Sequence, residues 1–197
     1  MGSAFTDIGL MVVNTIAGLF LFVVILRFLL QAVRADFYNP ISQFIVKVTN
    51  PLLLPIRKVV PGLGGYDVSS LVLAVIVQFI TICATLALIG FWPLPFANVA
   101  VWSVLGTLGI FLDLYFWGIL IIIIISWIAP NNPNPAIDLL KQIVEPVMKP
   151  IRDKMPDMGG IDLSPIIVIL LLRVVETLLS GMAGAAGYGG QFPVMGL

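Results

Sequence analysis

Apolar positions along the chain fall into four near-continuous runs and two periodic stretches. The runs are Ile8–Gln31, Val68–Phe91, Val101–Ile128 and Leu163–Ala183. Each is long enough for a helix that crosses a bilayer, which needs about 20 residues. In lipid such a run must be helical, because an open strand edge would leave backbone groups unpaired. The first run is too long for a cleaved signal peptide, and Asp7, not a basic residue, precedes it. Between the runs lie Ala32–Asp67 and Ala129–Asp162. Phe44, Ile45 and Val48 mark one helical face in the first stretch, and Leu140, Ile143, Val144, Val147 and Ile151 in the second. These patterns predict amphipathic helices at the membrane surface. Asn39-Pro40 and Asn134-Pro135 supply their starts, with Asn at the cap and Pro in the first turn. Pro51 and Pro146 lack a backbone donor and are expected to kink or end them. Ser69 and Ser164 are the expected caps of the second and fourth runs, with Pro165 supporting the latter.

The two stretches repeat one another. Asn39-Pro40, Pro51-x-x-x-Pro55-Ile56-Arg57 and Pro61-x-x-Gly64-Gly65-x-Asp67-x-Ser69 recur as Asn134-Pro135, Pro146-x-x-x-Pro150-Ile151-Arg152 and Pro156-x-x-Gly159-Gly160-x-Asp162-x-Ser164, every pair 95 residues apart. The chain therefore divides into a first repeat at 8–91, a turn at 92–100, a second repeat at 101–183 and a Gly-rich tail at 184–197. Two spans per repeat make both copies enter the membrane in the same direction. The expected fold is all-α membrane: four transmembrane helices as two parallel tandem repeats, each a helical hairpin with an amphipathic interfacial segment.

Composition agrees. Hydrophobic residues are 60% and charged residues 10% of the chain, against roughly 45–50% and 25% in soluble domains. There is no His and one Cys, Cys83, so His-based acid–base chemistry, a His-ligated metal and an intramolecular disulfide are excluded. Ten basic residues balance ten acidic ones, which does not suit a nucleic-acid partner. Eight of the ten basic residues lie in the two periodic stretches. The positive-inside rule puts those stretches in the cytoplasm and both termini outside.

The doubled P-x3-P-x-R-x3-P-x2-G-G-x-D-x-S pattern, with Asp36-Phe37-Tyr38-Asn39-Pro40 and Leu26-Arg27, resembles the YggT family, also called YlmG. The resemblance covers about Ile8 to Ala183. It implies a small bacterial inner-membrane protein linked to osmotic-stress tolerance and ion homeostasis, other members being linked to cell division or membrane-complex assembly. It brings no catalytic residue and no cofactor. In the first copy Ser70 stands where the second has Pro165, a departure expected to leave the capping intact.

Two groups of residues are candidates for function. The first is the motif itself: Pro55, Arg57, Gly64, Gly65 and Asp67, with Pro150, Arg152, Gly159, Gly160 and Asp162. Here Arg57 and Arg152 either meet a lipid phosphate or a partner, or hold the surface helix by pairing with Asp67 and Asp162. The second is the charge inside the spans, which is costly there. Arg27 is near enough to a span end to snorkel as an interfacial anchor. Asp113, Arg173 and Glu176 lie about 22, 15 and 20 Å from the cytoplasmic ends of their spans at the helical rise. Arg173 is expected to bridge Glu176 and Asp113, either as a packing element or as an ion path. Gln78 is the repeat-equivalent of Arg173. Ser180 with Gly184 and Gly181 with Ala185 offer close helix contact, for self-association or for a flexible exit. The expected surroundings are a bilayer with anionic lipids and either a homo-oligomer or a membrane-protein partner. Two functions follow: a non-enzymatic organiser acting through the motif face, or an oligomeric ion or solute channel.

Overall fold

The computed structural model describes residues 2–129, 133–155 and 162–197, with side chains from Ala4 onward. They form six helices: α1 Gly2–Ala32, α2 Pro40–Val59, α3 Val68–Leu88, α4 Phe96–Ile128, α5 Pro135–Arg152 and α6 Ser164–Ala185. Helices α1, α3, α4 and α6 are long and apolar enough to cross a membrane, and the chain is a multi-pass membrane protein. Two of them outrun the apolar pattern: α1 begins six residues before Ile8 and α4 five before Val101.

The spans pack as two hairpins, α1 on α3 and α4 on α6, joined through α3 on α4. The amphipathic helices repeat this logic, α2 lying on α1 and α3, α5 on α4 and α6. Equivalent positions fill equivalent places in the core. Val24, Leu53 and Leu73 are buried in the first repeat, and Ile119, Met148 and Val168, each 95 residues on, in the second. Burying such side chains contributes roughly 1.5–3 kcal/mol each where they leave water. Both amphipathic helices sit at one end of the bundle, where Asn39 Nδ2 donates to Pro135 O at 3.0 Å.

Helix starts follow the Asn-Pro pattern. Asn39 Oδ1 accepts from the Ile41 amide and Asn134 Oδ1 from the Ala136 amide, both at 2.9 Å. The interior prolines do not end the helices: α2 runs through Pro51 and Pro55, and α5 through Pro146 and Pro150. All four lie on the exposed side. Proline frees the carbonyl four residues earlier, and on that side the freed carbonyl is not sealed inside the core. Ser69 and Ser164 fall inside the first helical turn, the cap positions being Asp67 and Leu163.

The Gly-rich tail is not a flexible exit. Val194 is 4% exposed and joins Trp102, Leu105 and Leu179 in a third core cluster. Gln78 Nε2 donates to Met195 O at 3.0 Å, and Trp102 Nε1 to Ala186 O at 3.1 Å. A Cβ on Gly109 would overlap the backbone of Gly196, so glycine at 109 is what lets the tail dock against α4.

Candidate functional site

In each repeat an Arg–Asp pair ten residues apart closes the junction between the amphipathic helix and the following span. Arg57 ends α2 and contacts Asp67 ahead of α3; Arg152 ends α5 and places Nε 3.0 Å from Asp162 Oδ2 ahead of α6. Cations suit a helix C-terminus and anions an N-terminus, so one pair serves two helix ends. Gly64 and Gly65, with φ of 62° and 86°, make the intervening turn of the first copy, a conformation open to glycine. Gly159 and Gly160 lie outside the described residues. Pro55 and Pro150 lie exposed in the preceding helical turn.

The first junction is buried. Asp67 is 2% exposed; its Oδ2 accepts from Arg57 and from Ser70 Oγ at 2.9 Å, and Arg27 Nε lies 3.6 Å away. Arg27 does not reach outward as an anchor. Its guanidinium turns into the junction, where Nη1 donates to Val46 O, Thr49 Oγ1 and Asn50 Oδ1. A buried guanidinium needs acceptors, and α2 supplies three.

The second junction is open. Arg152 is 44% and Asp162 42% exposed in their side chains. Arg152 Nη1 also donates to the Glu145 carboxylate at 3.0 and 3.2 Å. Asp162 Oδ1 accepts from the Ser164 amide at 2.9 Å and from its hydroxyl. Partial burial works against the charged form of Asp162, but the Ser164 hydroxyl and amide and the Arg152 guanidinium outweigh it and hold the carboxyl below its ordinary value. Partial burial likewise works against charge on Arg152, but its bonds to Asp162 and Glu145 prevail and raise its pKa.

Repeat register explains the contrast. Asn50 corresponds to Glu145, Arg27 to Ile122 and Ser70 to Pro165. The first junction thus sets two guanidiniums against one carboxylate, the second one guanidinium against two. The Ser70/Pro165 difference changes the partners of the junction carboxylate. Ser70 bonds Asp67, and with proline at that position Ser164 takes over the role toward Asp162. The first copy's Ser69 donates to Val60 O at 2.7 Å instead.

The charges within the spans do not form the expected triad. Arg173 pairs with Glu176, and its Cζ lies 3.8 Å from the Phe116 ring centroid, a cation–π contact. Among the described residues no ion pair joins Arg173 to Asp113. The guanidinium is engaged by the i+3 carboxylate and the ring, while Asp113 lines an apolar cavity with Leu26, Ile41, Trp117 and Leu140. The Arg173 and Glu176 side chains are 45% and 35% exposed on the outside of the bundle. Ser42, Thr49, Asn50 and Glu145 were not singled out from the sequence. The Asn50/Glu145 mismatch within the repeat was the signal for the last two.

Comparison with known proteins agrees with this architecture. A family model described as CCB3/YggT matches residues 6–88 and again 101–183. An uncharacterized protein of Pseudomonas aeruginosa is 41% identical over 93% of this chain and 94% of its own length. The uncharacterized protein YggT of Escherichia coli K12 is 37% identical over 88% of this chain and 90% of its own. A Vibrio alginolyticus protein, uncharacterized and lying in the proC 3' region, is 34% identical over 87% and 93%. No solved structure matches the chain.

Proposed function

The chain belongs to the CCB3/YggT family, and from that membership we propose that it is a non-enzymatic organiser of membrane complexes. It resides in the bacterial inner membrane and contributes to osmotic-stress tolerance and ion homeostasis. The α2/α5 end faces the cytoplasm and both termini lie outside, a reading supported by the eight basic residues gathered in those stretches.

One observation carries the organiser reading. Arg173 and Glu176 sit near the middle of α6, on the outside of the bundle. A charge at the bilayer centre costs roughly 2.5–3.5 kcal/mol on insertion scales; the two pair with each other, but lipid tails satisfy none of their remaining donors and acceptors. A second transmembrane chain, another copy or a different membrane protein, covers this face and pairs with the exposed charges. Ser180, Gly181, Gly184 and Ala185 are exposed farther along α6, and small residues let two helices approach closely.

A photo-cross-linking residue at Val174 or Leu178 in native membranes is expected to give discrete adducts. The joint variant Arg173→Leu/Glu176→Leu is expected to lose them while remaining folded. Adducts absent from every α6 position would remove this reading. The same pair also favours a second one, an oligomeric ion or solute channel, because copies meeting along α6 would enclose Arg173 and Glu176 between them. Flux into liposomes by the parent and not by the joint variant would establish it.

A further inference from the structure

We infer that the first repeat alone carries a binding site for a phosphate-bearing anion, in the cavity beside its junction. The cavity, about 560 Å³, opens between the end of α1, α2 and the turn ahead of α3. Arg27, Arg34 and Arg57 all line it. Asp67, which contacts Arg27 and Arg57 without lining the cavity, offsets one of the three charges. Guanidinium forks match phosphate oxygens in geometry and charge, and the volume suits a small-molecule headgroup.

One further observation points to a ligand, and a second explains how Arg34 comes to face it. Ser42 also lines the cavity; it is 5% exposed, and its hydroxyl finds no hydrogen-bond partner among the described residues. Buried polar groups ordinarily have one, and a phosphate oxygen would supply it. Arg34 has φ of 52°, a left-handed conformation that few residues other than glycine adopt. That backbone closes α1, the Ala35 amide bonding Leu30 O and the Arg34 amide Gln31 O, and it sets the Arg34 side chain against the cavity.

The second repeat serves as an internal control. The positions of Arg27, Arg34, Ser42 and Asn50 hold Ile122, Ala129, Ile137 and Glu145. Of the basic and hydroxyl groups only the Arg57 equivalent, Arg152, is kept, and two carboxylates already occupy it. The inference rests on the proposed cytoplasmic placement of the α2/α5 end, and it names the chemistry recognised there.

The test uses the full chain purified in an uncharged detergent. Native mass spectrometry follows retained phosphatidylglycerol against phosphatidylcholine, and a separate titration follows inorganic phosphate. One phosphatidylglycerol per chain is expected. Arg34→Asn, which tolerates the left-handed backbone, should weaken binding about tenfold by removing a charge-assisted bond. Ser42→Ala should weaken it about fivefold with an unchanged melting temperature, because its hydroxyl bonds nothing else among the described residues. Arg152→Asn should leave it unchanged. Inorganic phosphate that binds alone with the same variant pattern identifies a free phosphate compound, while binding of the lipid only identifies a headgroup. Parent-like binding by Arg34→Asn and Ser42→Ala overturns the inference, as does an equal loss in Arg152→Asn. Cross-linking through α6 is read separately, so loss of this site and loss of the partner reading are distinguishable.

Discussion

Arg34 holds a left-handed backbone that glycine would adopt without steric conflict. Arg34→Gly is therefore expected to stabilise the folded chain by about 1 kcal/mol, seen as a higher melting midpoint in nanodiscs, even as it empties the anion cavity of one charge. Asp162 gives a pH signature at the same scale. Its carboxyl is held below the ordinary 3.8 in the folded chain. At pH values around 3.8 the unfolded chain is already taking up a proton that the folded one refuses. The contribution of this group is thus complete above 3.8 and fades as pH falls through the lowered folded value. The melting midpoint of Asp162→Asn should converge on that of the parent across that window, and lie below it at neutral pH.

At the level of elements, the two Asn caps make a matched pair with one difference. Each accepts an amide proton of its own helix, and Asn39 also donates to Pro135 O across the repeats. Replacing a cap by Ala costs about 1 kcal/mol. Asn39→Ala is expected to cost more than Asn134→Ala, and Asn39→Asp to recover the cap but not the bridge, all measurable as melting midpoints. The caps and the amphipathic faces were legible because Asn-Pro spacing and helical periodicity are local signals. The continuation of α2 and α5 through their prolines was not, because it depends on which side of each helix meets the core. The inward turn of Arg27 was hidden for a similar reason: its acceptors, Val46, Thr49 and Asn50, belong to another helix.

For the molecule as a whole, the duplication was legible in a fixed offset of 95 residues, and the paired hairpins follow it. Where the copies differ, the sequence marks a difference without its meaning. Gln78 and Arg173 are equivalent, yet one is buried under the tail and the other faces outward beside Glu176. Docking of the tail was the least legible feature, since glycines at 187, 189 and 190 read equally as a loose end. Gly109→Val is expected to expel residues 192–197, exposing the chain near Gly187–Gly190 to added protease while the spans stay intact.

The docked tail also gives the protein an optical reporter. Of the four indoles, Trp92, Trp117 and Trp127 are 76%, 60% and 85% exposed, whereas Trp102 is 4% exposed, its ring against Tyr188 and Phe192. Bromine carried on acyl chains would quench emission from Trp117, which stands on the outer surface of a span, and leave Trp102 bright. With Trp92 and Trp127, which stand at the ends of spans, replaced by Phe, emission that survives such quenching is light from the tail's own binding place, and its decay would time the tail's departure without any added dye.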